Sequence, residues 1–194
     1  MTSRPAPGLT LPELLLVLAL LGLLAALALP SLAEQLHRRR LMAASAALLA
    51  DLQLLREATT ARHRLLRLSL HDLPEGSCRL IHDGDAADCR CEADARHQPQ
   101  VECRAGTQLL RATLLPRSQG LVLRANVASL RAEPRHGTIT PTGTIELTGS
   151  RGGPVLRHVV NILGRTRLCT PALPRPGAPR CSARSARPTH PPPP

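Results

Sequence analysis

Gly8-Leu9-Thr10-Leu11-Pro12-Glu13-Leu14 opens the stretch whose reading decides the fold, and LLLVLALLGLLAALAL over residues 14–29 completes it. Apart from Thr10, Pro12 and Glu13, residues 9–29 are all Leu, Val, Ala or Gly, and the stretch is close to the roughly 20 residues that carry a helix across a bilayer. Residues 1–8 ahead of it are short, polar and proline-rich, with one Arg. Three readings compete. A cleaved secretory signal would use Ala26-Leu27-Ala28 as its small-x-small site. Against it, Glu13 stands where a basic flank is expected, and Pro30 lies two residues past the cut. A plain transmembrane anchor gives no reason for a carboxylate, which costs on the order of 2–3 kcal/mol near a helix centre and somewhat less near an end.

The third reading accounts for Glu13. A Gly, a hydrophobic residue, Thr-Leu, one variable residue and Glu (Gly8 to Glu13) resemble the type IV prepilin motif. The resemblance implies cleavage by a prepilin peptidase between Gly8 and Leu9 and N-methylation of Leu9. It also implies that Glu13 pairs in assembly with the terminal amine of a neighbouring subunit; a buried carboxylate is tolerable only when paired. Leu9 stands where the family usually has Phe, and Pro30 falls where pilins often carry a helix-bending proline. The partners implied are the peptidase, other major or minor pilins or pseudopilins, and the inner membrane. The place implied is a single pass through that membrane with the head in the periplasm.

Beyond Pro30 the pattern turns amphipathic. Leu32, Leu36, Leu41, Ala44, Leu48, Leu52 and Leu55 recur mostly at spacings of three and four, one face of a helix. Arg38, Arg39 and Arg40 follow the apolar run and suit either lipid headgroups or a solvated face. From about residue 66 the period falls toward two, and candidate strands follow at 108–115, 120–125, 137–140, 144–148, 155–162 and 166–169, punctuated by Gly, Pro and Asn. The expected fold is α+β: a long kinked N-terminal helix, its hydrophobic half transmembrane, packed on a small antiparallel β-sheet head, as in type IV pilins. The expected organisation is leader 1–8, transmembrane and assembly helix 9–30, amphipathic continuation 31–66, periplasmic β-rich head 67–181 and a disordered proline-rich tail 182–194.

The 194 residues hold no Phe, Tyr or Trp, so the core is aliphatic, and each buried side chain brings less area than a ring would. Six cysteines outside the cytoplasm read first as disulfides. Cys169 and Cys181 flank a Pro/Gly-rich loop and make the favoured pair; Cys78, Cys89, Cys91 and Cys103 leave three connectivities open. Zinc lacks its paired C-x2-C spacing here. Asp83, Asp85 and Asp88 do not match a calcium-loop pattern and read as a polar loop. Ser and His are scattered without a catalytic motif, so no enzyme, cofactor or metal is expected.

All the basic residues other than histidine are Arg, giving a net charge of +11, and no acid follows Glu146. Within that acid-free third, residues 159–169 run from an apolar strand through Gly164-Arg165-Thr166-Arg167 to Cys169. This resembles the end of the FimT/GspH pilin family, and with residues 137–153 and the N-terminal helix it defines the extent of the likeness; residues 71–120 depart from it. The FimT-type resemblance implies a minor pilin in which Gly164, Arg165 and Arg167 bind DNA, double-stranded included, during uptake. The GspH-type alternative is a pseudopilin of type II secretion without a nucleic-acid role. Arginines on either side of Thr166 in an extended segment lie about 7 Å apart on one face, near the spacing of adjacent phosphates.

Overall fold

The computed structural model describes residues 10–94, 98–150, 152–172, 174 and 178–181. They fall into two compact units divided after Arg39. Helix α1 (Leu11–Arg62) contributes to both. Its composition is mostly Leu, Ala, Arg and Glu, all good helix formers, and Pro30 does not end it. The Leu14 amide donates to the Thr10 carbonyl (3.1 Å), the first backbone bond of the helix, which puts Thr10 at the N-cap position, and Thr10-x-x-Glu13 has the spacing of a capping box. Pro12 is harmless in a first turn, whose amides lack helical partners. His63, with φ of 50°, takes the left-handed conformation that terminates the helix.

In the first unit the described leucines are exposed, from 44% at Leu36 to 75% at Leu11. In the second, Leu41, Ala44, Leu48, Leu52 and Leu55 of α1 are buried at the helical spacing the sequence predicts. Eleven strands follow: β1 (Leu66–Leu73), β2 (Gly76–His82), β3 (Cys89–Ala93), β4 (Pro99–Cys103), β5 (Leu109–Pro116), β6 (Leu121–Ala125), β7 (Ser129–Ala132), β8 (Ile139–Thr140), β9 (Gly143–Gly149), β10 (Leu156–Val160) and β11 (Thr166–Cys169). They form a five-stranded sheet in the order β5-β2-β1-β7-β8, a four-stranded sheet β11-β10-β9-β6 and the hairpin β3-β4, every pairing antiparallel.

The main core joins the buried stripe of α1 to both larger sheets: Leu66, Leu68, Ile81 and Leu130 from one, Leu121, Ile145, Leu147 and Leu156 from the other. A second, smaller core lies on the other face of the five-stranded sheet, where Cys78 and Leu80 meet Cys89 and Cys91 of the β3-β4 hairpin. Strand β2 is therefore covered on both faces, and all seven of its residues are buried. Three disulfides, Cys78–Cys91, Cys89–Cys103 and Cys169–Cys181, use every cysteine. The first two attach the hairpin; the third closes the segment after β11, where Thr170 also bridges to Arg180.

Two expectations need correction. The anticipated pilin architecture, with a small sheet head on a half-transmembrane helix, gives way to a chain dominated by antiparallel sheet. Among the described residues no helix is long and apolar enough to cross a membrane, and the single-pass inner-membrane placement falls with that finding. Helix α1 is long, but its unbroken apolar run, residues 14–29, is bounded by Glu13 and Pro30 and is shorter than the roughly 20 residues a bilayer core demands. The helix also ends at Arg62, earlier than the expected residue 66. Gly8, Leu9 and the tail at 182–194 lie outside the described residues.

Candidate nucleic-acid interface

Strands β10 and β11 form a hairpin whose turn carries the Gly-Arg-Thr-Arg motif. Asn161 organises it: its carbonyl accepts from the Gly164 amide (2.9 Å), its side-chain Oδ1 from the Arg165 amide (2.9 Å), and its own amide donates to the Arg165 carbonyl (3.1 Å). Gly164 has φ of 69°, the left-handed region that glycine enters without strain. The Ile162 carbonyl accepts from the Ile139 amide (2.8 Å), tying the turn to β8. Arg165 and Arg167 are exposed, with half-buried Thr166 between them. Arg167 pairs with Val159 and Thr166 with Val160. Because bonded and non-bonded positions alternate in an antiparallel ladder, the Thr166 amide faces away from β10. Among the described residues no strand pairs with that outer edge of β11, and just past the strand the Thr170 amide donates to the Pro179 carbonyl and its carbonyl accepts from the Cys181 amide.

A groove of about 620 Å³ runs beside this edge, lined on one side by Asn161, Gly164, Arg165, Thr166 and Arg167. Its other side is α1, through Leu49, Leu52, Gln53 and Arg56. Arg56 went unremarked as a site residue because it lies far from the motif in sequence; its only signal was its place at the border of the leucine stripe. No carboxylate lines the groove, and among the described residues Arg56, Arg165 and Arg167 have no acidic partner.

The other arginines of this unit with acidic partners are occupied structurally. Asp51, 1% exposed, takes buried Arg79 Nε at 2.8 Å and half-exposed Arg111 Nε at 3.1 Å, a cluster joining α1 to β2 and β5. Arg157 pairs with Glu146 directly across β10 and β9. Asp83, Asp85 and Asp88 pair with Arg64, Arg67 and Arg104, and Asp83 and Asp88 also accept backbone amides, which is the polar-loop reading. No cluster suited to a metal occurs among the described residues.

Ser45 Oγ lies 2.9 Å from His158 Nε2, the geometry of a nucleophile and its base. Both are buried, His158 completely, and His158 Nδ1 has no partner among the described residues, so no third group orients the ring. Burial, with the nearby Arg79 cation, lowers the His158 pKa to about 4. The pair fastens helix to sheet. His82, bonded to Ser69 Oγ at 2.9 Å, is likewise held below its ordinary value, by burial first and then by Arg67.

Of the residues singled out in sequence, Gly164, Arg165 and Arg167 come together at one groove. Cys169 and Cys181 are bonded just beyond them, and exposed Glu13 belongs to the first unit, in the opening turn of α1. No protein-family model, no curated protein and no solved structure matches this chain.

Proposed function

We propose that this chain is a pilin-like filament subunit of the FimT type. It is matured by a prepilin peptidase, assembles with other pilins through its N-terminal helix, and holds DNA non-specifically through Arg165 and Arg167. The observation that carries the DNA reading is the pair itself: two exposed arginines without acidic partners among the described residues, beside a groove at the outer edge of β11. Guanidinium is permanently charged and its planar donors match phosphate oxygens. The chain has no aromatic side chain to stack on bases, so contacts go to the backbone, and binding is sequence-tolerant and weakens with salt. Assembly is supported by the Gly8-to-Glu13 motif and by the exposed leucines of residues 11–24, an apolar surface of the kind that marks an interaction site. A pseudopilin without nucleic-acid business leaves the unpaired arginines without a role.

The test is fluorescence anisotropy of a random-sequence duplex with the full chain, kept dispersed in mild detergent, across about 50 to 200 mM salt. The parent should bind and lose affinity with salt. Arg165→Gln/Arg167→Gln should bind at least roughly tenfold more weakly, with a salt slope shallower by about two. Equal binding by parent and variant sinks the DNA reading.

A further inference from the structure

We infer that Arg56 is a third nucleic-acid-binding residue, completing with Arg165 and Arg167 a cradle for the sugar-phosphate backbone, and that Gly164 is glycine so that Arg56 can reach the cradle. This rests on the DNA reading above and narrows it to a phosphodiester seated between helix and hairpin.

The groove wall on α1 is one stripe, Leu49, Leu52, Gln53 and Arg56, at spacings that place these residues on a single helix face. Arg56 is the cation of that stripe and is exposed. Its stem passes against the turn: a Cβ built on Gly164 would stand 2.8 Å from Arg56 Cδ and 3.0 Å from Nε. Any larger residue at 164 therefore pushes the arginine aside, in addition to straining a backbone at positive φ. The nearest acid in sequence, Glu57, lines a neighbouring depression together with Gln53, Arg56 and Thr60; it makes no ion pair with Arg56 and does not line the groove. Asn161 Oδ1, the one side-chain carboxamide oxygen on the hairpin wall, already accepts the Arg165 amide. Thr166, opposite buried Val160, is on the sheet face that meets α1, and Arg165 and Arg167 alternate to the other face. The cations therefore approach the groove from both sides of the edge strand, and no carboxylate lines it among the described residues. A groove of about 620 Å³ accepts a nucleotide-sized segment, which a string of phosphates supplies.

The test adds three variants to the same titrations: Arg56→Gln, Arg56→Lys, and Arg124→Gln as a control. Arg124 is an exposed arginine on β6, the opposite edge of the sheet that ends in β11. Arg56→Gln should weaken binding roughly fivefold to tenfold for every duplex sequence and lower the salt slope by about one, with an unchanged thermal melt. Arg56→Lys should restore the slope, and Arg124→Gln should leave affinity and slope near parental. If Arg165→Gln/Arg167→Gln loses binding while Arg56→Gln keeps parental affinity and slope, the inference is overturned and the DNA reading survives. If Arg124→Gln falls as far as Arg56→Gln, a diffuse positive field replaces the cradle, and the inference is again overturned. If the arginine pair proves dispensable, the DNA reading fails first.

Discussion

His158 illustrates how much a single buried side chain contributes here. Its ring is closed off from water, bonded to Ser45 and close to the Arg79 cation, so its pKa falls from 6.5 to about 4. The unfolded chain therefore takes up the proton first. The stabilisation is intact above about pH 6.5 and is lost as pH falls toward 4, a difference of roughly 3 kcal/mol for this residue. His71 and His82 are lowered by burial as well and act in the same direction. Urea midpoints should drop between pH 7 and pH 4.5, and His158→Gln should flatten part of that drop; parallel acid curves for the two proteins would contradict the assignment. Asp51 is a buried group held by ion pairs. Its carboxylate stays buried because Arg79 and Arg111 reach it from two strands, and such a pair fixes which faces meet more than it adds net stability.

Among the elements, the β3-β4 hairpin depends least on hydrophobic patterning. It meets the five-stranded sheet through a small core made largely of cysteine and is tied there by Cys78–Cys91. Replacing both of those cysteines with Ala should cost about 2–4 kcal/mol. It should also speed amide exchange in β3 and β4 while β9 and β10 keep their protection; a uniform acceleration would mean the hairpin is no separate unit. The same element shows where sequence reading stops. Strands β5, β6 and β8 to β11 were legible from alternation and from the Gly and Pro between them. Strand β2 was not, because Gly76–His82 is buried on both faces and loses the period of two on which that reading depends. Strands β3 and β4 follow from cross-links whose pairing no spacing reveals, and β7 is only four residues long. In the candidate site, Gly164, Arg165 and Arg167 were legible as a motif, whereas Arg56 joins them only after α1 docks on the four-stranded sheet.

At the scale of the whole molecule, an aliphatic core without rings is reinforced by three disulfides, and a 52-residue helix serves two units with opposite needs. Its second part hides its leucines; its first part leaves them exposed. If the first part is an assembly arm, maturation must generate its terminus at one bond. Mass spectrometry of the protein purified from its host should then give a mass starting at N-methylated Leu9, and a mass starting at Leu29 would point to signal-peptidase removal of the arm. Among the described residues the outer edge of β11 pairs with no strand, and this has one further consequence, for behaviour in solution. An unpaired edge is a template for strands of other copies, and bulky charge is how proteins keep such templates silent. Arg165 and Arg167 therefore guard the sheet against self-recruitment, and a nucleic acid that covers them takes over that guard for as long as it stays bound.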